Sequence, residues 1–194
     1  MSFPPEDIKK YDVFPGDGKD ERSVREEIAP GYRRKLQVLI DRGLIDPVSL
    51  RRGMDFECGK GTITIAALPL FPNIHIFGVD IDAESGYSLL NEEEVRKATF
   101  VHDAVQRFIL ISAQESFDIV LAGEVRVPPY DFDYQSFANI IRPHGLVVEL
   151  EPSLGYGPDF SFPEMERVGF TLLLRALPAD FSWINNVNLW SRIG

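Results

Sequence analysis

Cysteine occurs once in this chain, at position 58. A single thiol closes no internal disulfide and cannot build a four-thiolate zinc site. Histidine is scarce as well. His75, His102 and His144 lie far apart, and none has the i, i+4 partner that would set two imidazoles on one helix face. No metal site is therefore expected. No apolar run approaches the ~20 residues that a membrane-crossing helix needs. The first thirty residues carry Glu6, Asp7, Lys9 and Lys10 and lack the apolar core of a secretion signal. The expectation is a cytoplasmic protein with no membrane partner. Positive charge is also in short supply: 20 Lys and Arg stand against 30 Asp and Glu, a formal net charge of −10. Such a surface repels phosphate backbones and argues against nucleic acid as the main partner. The local basic clusters Arg33-Arg34-Lys35 and Arg51-Arg52 read as a solvated helix face and a loop.

What remains is a chain of 194 residues, enough for one well-packed domain. The stretch to about Asp20, with Pro4, Pro5, Pro15, Gly16 and Gly18, reads as an irregular arm. From Glu21 to Leu44 apolar residues recur at three- and four-residue steps (Ile28, Tyr32, Leu36, Leu39, Ile40), which predicts helix. Pro30 and Gly31 predict a kink or a break in it, and Gly43 a stop. Beyond Leu50 short strands alternate with helices. Strands are expected at Arg52 to Phe56, Ile74 to Val79, Thr99 to His102, Phe117 to Ala122 and Leu146 to Leu150. Helices are expected at Thr62 to Leu70, Ser85 to Lys97, Val105 to Ala113 and Tyr134 to Ile141. This alternation marks parallel βαβ units. Phe170 to Leu177 and Val187 to Ile193 then follow one another with no helix between them, so they should pair antiparallel. The expected fold is α/β: a seven-stranded, mostly parallel twisted sheet with helices on both faces and a C-terminal antiparallel β-hairpin.

Chemistry is signalled first by Met54-Asp55-Phe56-Glu57-Cys58-Gly59-Lys60-Gly61-Thr62, a glycine-rich link from the first strand to the first helix. Glycines there let backbone come close to a ligand. Asp80 ends the next strand, nineteen residues after Gly61. An acid at that point can accept hydrogen bonds from ribose hydroxyls. Asp103 ends the third strand. Ligands of open α/β sheets bind beyond the carboxyl ends of the strands, so these three features define one rim.

These segments together resemble the class I S-adenosylmethionine-dependent methyltransferases over roughly residues 50 to 194. Asp55 to Gly61 is similar to the family's first motif, and Asp80 matches the acid that holds the cofactor ribose. His102-Asp103-Ala104 resembles the segment beside the adenine. Phe117-Asp118-Ile119-Val120-Leu121 is similar to the fourth-strand motif. Ile140 to Leu146 resembles the turn before strand five, and Glu166 to Phe170 the helix end before the hairpin. The resemblance implies that S-adenosyl-L-methionine is the cofactor. The residues it assigns to that cofactor are Asp55, Glu57, Gly59, Gly61, Asp80, Ile81, Asp103 and Ala104. It divides the chain into an N-terminal arm and helices over 1–50, part of the same domain and a candidate substrate lid, and a Rossmann-like domain over 51–194. Glu57 departs from the family, which has glycine there; its bulk and charge lie where the cofactor's carboxylate is expected. His144 likewise replaces a glycine.

Methyl transfer from a sulfonium depends mainly on alignment, and a base is needed only where the acceptor must lose its proton early. Glu124 and Tyr130, after the fourth strand, are the candidate catalytic residues. Val127-Pro128-Pro129-Tyr130 is similar to an amino-methyltransferase motif, but it lacks the leading polar residue and reads as a rigid Pro-Pro loop. The N-terminal arm and helices and the loops 123–133 and 152–162 are candidate walls of the acceptor pocket. The expected activity is methyl transfer to an O or N atom of a small-molecule acceptor. The alternatives are a catalytically reduced protein of the same fold acting as a partner subunit or scaffold, methylation of a protein side chain, and a nicotinamide-dependent dehydrogenase. The dehydrogenase fingerprint wants Gly or Ala where Thr64 stands.

Overall fold

The computed structural model describes residues 24–81, 87–123, 132–150, 160–176 and 187–194. A π-helical turn (Val24–Ile28) runs into α1 (Ala29–Asp41), and Pro30 sits in the first turn of α1, where its missing N–H costs nothing. The break expected at Pro30 and Gly31 is thus a change of helical winding just before the proline. Gly43, at φ +70°, follows the helix end as expected. The chain continues through β1 (Arg52–Phe56), α2 (Thr62–Ala67), β2 (His75–Asp80), α3 (Glu92–Val95) and β3 (Ala98–His102). Then come α4 (Val105–Ile111), β4 (Phe117–Ala122), α5 (Tyr134–Ile140), β5 (Ile141–Glu149), α6 (Phe162–Arg167), β6 (Phe170–Ala176) and β7 (Val187–Arg192).

The seven strands form one sheet in the order β3-β2-β1-β4-β5-β7-β6. The pairs β1–β2, β1–β4, β2–β3 and β4–β5 are parallel, while β7 runs antiparallel to both β5 and β6. This is the expected parallel sheet with a terminal antiparallel hairpin. Side chains alternate across it. Ile76, Ile119, Leu121, Val148 and Leu189 pack with α1 and α2, whereas Met54, Phe56, Val120, Val147 and Trp190 pack with α4, α5 and α6. Among the described residues no helix is long and apolar enough to cross a membrane.

Two expectations are corrected. Over its described residues, the helix expected from Ser85 to Lys97 is a 3₁₀ turn at 87–89 followed by the single turn of α3. Asn91 starts that turn by accepting the N–H groups of Glu93 and Glu94, and Glu94 returns the bond to the Asn91 N–H. A complete capping box marks a helix beginning, so no helix runs through Asn91. Residues 82–86 lie outside the described set. The basic cluster on α1 is not wholly a solvated face: Arg34 is exposed, but Lys35 is buried and donates through Nζ to the Leu150 carbonyl at 2.6 Å.

Two buried carboxylates fasten the ends of the central strands. At the amino end, Asp118 accepts from the Arg51 and Arg52 N–H groups and pairs with Arg142 at 2.9 Å. Arg142 lies in a bulge of β5, where Phe117 faces Ile141 but Ile119 already faces Leu146. At the carboxyl end, Glu149 accepts from Phe160 N at 2.9 Å, Asn188 Nδ2 at 2.8 Å and Trp190 Nε1 at 3.0 Å. It ties β5 to β7 and to the start of the α6 segment. Glu149→Ala orphans three buried donors, each worth about 1 kcal/mol or more. We expect it to lower unfolding stability by roughly 3 kcal/mol, measured by urea denaturation, with Glu149→Gln losing less because one acceptor oxygen survives.

Candidate functional site

The link from β1 to α2 is built on left-handed backbone. Glu57, Gly59 and Gly61 have φ of 52°, 49° and 74°. Short hydrogen bonds close it: Gly61 N donates to Cys58 O at 2.7 Å, and Cys58 N to Val79 O at 3.2 Å. Gly59 N donates to Asp80 Oδ2 at 3.0 Å. The acid at the end of β2 therefore reaches across to the glycine turn at the end of β1. The resulting bond between a backbone N–H and a carboxylate is of the stronger, charge-assisted kind.

Beneath the turn the register aligns Asp55, Gly78 and Phe100 on β1, β2 and β3. Gly78 has no side chain because the Phe100 ring occupies that space. A Cβ on Gly78 would lie 2.5 Å from the ring, and one on Gly61 would lie 2.6 Å from it. Phe100 thus supports both glycines, and Tyr87 meets it edge-on at 5.1 Å while its hydroxyl oxygen accepts from the Phe100 N–H at 3.0 Å. Asp55 is fully buried. Its Oδ2 accepts from Thr64 N at 2.9 Å and Thr64 Oγ1 at 2.7 Å, and its Oδ1 has no hydrogen-bond partner among the described residues. The sequence predicts Asp55 beside the cofactor; the structure sets it under the turn, pinning the first turn of α2. Burial pushes its pKa up to about 7, against the lowering effect of the Thr64 bonds. Burial also pushes the Cys58 thiol up, with the charges of Asp55 and Asp80 adding to it.

Asp103 follows β3, and its N–H donates to Asp80 O at 3.1 Å, so the ends of β2 and β3 meet. Its carboxylate accepts from Ala104 N at 2.8 Å and faces Arg107 Nε at 3.4 Å. Ile81, just past Asp80, is 62% exposed. Gly59, Gly61, Asp80, Ile81, Asp103 and Ala104 are thereby gathered at the carboxyl ends of three adjacent strands. Glu57 joins them on the turn, half-buried. Glu124 and Tyr130 lie outside the described residues, as do 124–131 and 151–159 of the two loops expected to wall the acceptor.

The N-terminal helices are expected on the acceptor side, but Tyr32 and Lys35 of α1 are not singled out by the sequence. The Tyr32 hydroxyl is 3.7 Å from where a Cβ on Gly123 would stand, just past β4, and Lys35 holds the Leu150 carbonyl just past β5. The signal was present: Lys35 stands three residues after Tyr32 and one before Leu36, inside the apolar stripe.

Two measurements check this geometry. An Asp whose folded pKa is raised from 3.8 to about 7 keeps its proton in the folded state after the unfolded chain has lost it. Its contribution to stability therefore falls as pH rises from about 4 to 7 and levels off above, by at most about 1.4 kcal/mol per unit. Asp55→Asn should remove that slope between about pH 5.5 and 7 in urea unfolding; an unchanged slope would mean Asp55 is already ionised there. Glu57→Gly should raise stability by roughly 1 kcal/mol, because a left-handed conformation costs a non-glycine residue that much. A loss instead would show that side-chain contacts of Glu57 outweigh the strain.

No family model matches the chain, and no curated protein matches it in sequence. Solved structures do match in shape. A SAM-dependent methyltransferase from Aquifex aeolicus superposes with TM-score 0.60 at 12% identity, covering 100% of both chains. The antibiotic-resistance methyltransferase Kmr gives TM-score 0.51 at 14% identity, covering 84% of this chain and 93% of its own. An O-methyltransferase family protein from Burkholderia thailandensis gives 0.55 at 14% identity, covering 88% of this chain and 59% of its own. By its strand order, its terminal hairpin and these neighbours, the chain has the class I S-adenosylmethionine-dependent methyltransferase fold.

Proposed function

We infer that this protein is a methyltransferase that takes its methyl group from S-adenosyl-L-methionine and passes it to an O or N atom of a small-molecule acceptor. The observation that carries the reading is the bond from Gly59 N to Asp80 Oδ2, which joins the glycine turn and the second-strand acid at one rim. The residues suit the cofactor. Among the described residues, no atom outside its chain neighbours lies within 4 Å of a Cβ built on Gly59, so the turn is open to close approach. Asp80 would accept from the ribose hydroxyls, Ile81 would offer apolar surface to the adenine, and Asp103, fixed by Ala104 and Arg107, would accept from its amino group. Asp55 serves the same site from below by holding α2 against β1.

When bound, the cofactor supplies a methyl on a sulfonium, a group that departs readily once a nucleophile is in line. The chain's own part is to orient and to exclude water, which accounts for much of the rate in such transfers. Tyr32 and Lys35 bring a hydroxyl and a cation to the ends of β4 and β5, and they mark the side from which an acceptor would enter. The reading as a scaffold without catalysis draws on one observation, the side chain of Glu57 on a left-handed position that the family gives to glycine.

Calorimetry with S-adenosylmethionine and its demethylated product tests the reading. Binding of either supports it, and the absence of heat with both would leave only the scaffold. In a protein that binds, Asp80→Asn keeps an acceptor for Gly59 N but loses the charge and one acceptor oxygen. Its affinity should fall by about ten- to a hundredfold, the weight of one or two charge-assisted bonds, with little change in thermal stability.

A further inference from the structure

The far side of the sheet has the opposite charge. The amino ends of β1, β2 and β3 bring together Arg51, Arg52, His75, Arg96 and Lys97. Arg52 and His75 are register partners, His75 N donates to Arg51 O at 2.8 Å, and Ile76 N donates to Lys97 O at 2.8 Å. Arg51, Arg52 and Arg96 are exposed. Several carboxylates near them are already committed. Asp118 is held by the Arg51 and Arg52 N–H groups and by Arg142, Glu93 by Lys97, and Glu94 by Arg25 and the Asn91 N–H. Among the described residues no carboxylate comes within ion-pair distance of the guanidinium of Arg51, Arg52 or Arg96.

Arg52 is also held in place. Its guanidinium lies over the Phe77 ring at 5.0 Å and the Phe117 ring at 5.7 Å. His75 meets the same Phe77 ring at 5.0 Å in a tilted arrangement and lies 2.9 Å from Thr99 Oγ1. An arginine fixed by stacking loses less side-chain freedom on meeting an anion than a free one does.

We propose that this amino-end face, centred on Arg52 and Arg96, docks an acidic segment of a partner protein. The charge is complementary to clustered Asp and Glu side chains, and the scale fits a short segment. Three neighbouring strand ends span only about 10 Å at the usual strand spacing. A longer polyanion such as nucleic acid would overrun that span onto a chain whose formal net charge is −10. The face lies at the opposite end of the strands from the glycine turn, so a partner seated there leaves the turn uncovered. The proposal is independent of the methyltransferase reading.

The test uses the whole chain and fluorescein-labelled hexaglutamate, followed by fluorescence anisotropy at about 50 mM salt, where the screening length still allows a patch to act. Binding is expected, with affinity falling as salt rises. Arg96→Glu should weaken it about threefold or more, and the Arg52→Glu/Arg96→Glu pair about tenfold or more. The Arg96 side chain is exposed, so that variant keeps the test sound should the Arg52 change disturb folding. S-adenosylmethionine binding, where the wild type shows it, should be the same in Arg96→Glu. No anisotropy change up to about 1 mM peptide, or equal binding by both variants, overturns the proposal. Tighter binding of a labelled oligouridylate than of hexaglutamate overturns it in favour of RNA. Concentration-dependent self-association that Arg96→Glu abolishes overturns it in favour of a second copy of this chain.

Discussion

The turn between β1 and α2 is the constraint on which the rest of the rim depends. Its backbone is left-handed at three positions, a conformation that costs any residue with a Cβ. Something must hold it there, and the structure supplies a hold on each side. From below, Asp55 takes two bonds from Thr64 and fixes the start of α2 against β1. From the neighbouring strand, Asp80 takes the Gly59 N–H. Phe100 fills the space that Gly78 and Gly61 leave empty, so the turn rests on a ring rather than on a void. Each hold comes from a different strand, and only a parallel sheet in the observed order brings the three together.

That arrangement explains how the backbone can keep its form where the side chain departs from the usual one. Glu57 and His144 both stand where the resembling family has glycine, and both remain left-handed, with φ of 52° and 62°. The conformation at each place is imposed by its surroundings. Around Glu57 these are the Asp55, Cys58 and Asp80 bonds. Around His144 they are the bulge of β5 and the Arg142 pair with Asp118, beside a Gly145 whose added Cβ would lie 2.8 Å from Arg142 O. Surroundings this tightly determined can carry about a kcal/mol or more of local strain.

The strands were legible because their signal is local: short apolar runs ending in Gly or Asp, separated by helix-period segments. β1 and β4 fall on the expected residues, the other strands lie close to theirs, and β5 begins early, at Ile141 rather than Leu146. The rim acids were legible for the same reason, since a strand's last residue fixes where its side chain emerges. Depth was not legible. Asp55 belongs to the motif that the sequence displays, but only the pairing of β1 with β2 and the packing of α2 above them show that it lies underneath. Lys35 was read from its neighbours Arg33 and Arg34 as part of a charged run, whereas its position on the helix, three residues from Tyr32, decides its burial. The expected helix over 85–97 failed because composition favours helix across that stretch while one residue, Asn91, sets its beginning.

Charge is what joins the two ends of the sheet into one argument. Asp80 and Asp103 sit close together at the carboxyl rim, where they would repel each other without donors. Gly59 N, Ala104 N and Arg107 supply those donors, so the rim can keep acids concentrated where hydroxyl and amino groups are to be received. At the amino end Asp118 is consumed in fastening strands and in pairing with Arg142, and Arg51 and Arg52 are left exposed. The same economy of carboxylates therefore produces an acidic rim at one end and a basic face at the other. In a chain with a formal net charge of −10, the basic face is the rarer feature. Random placement of 20 cations among 30 anions would tend to surround each arginine with acids, and here three neighbouring arginines lack any such partner among the described residues.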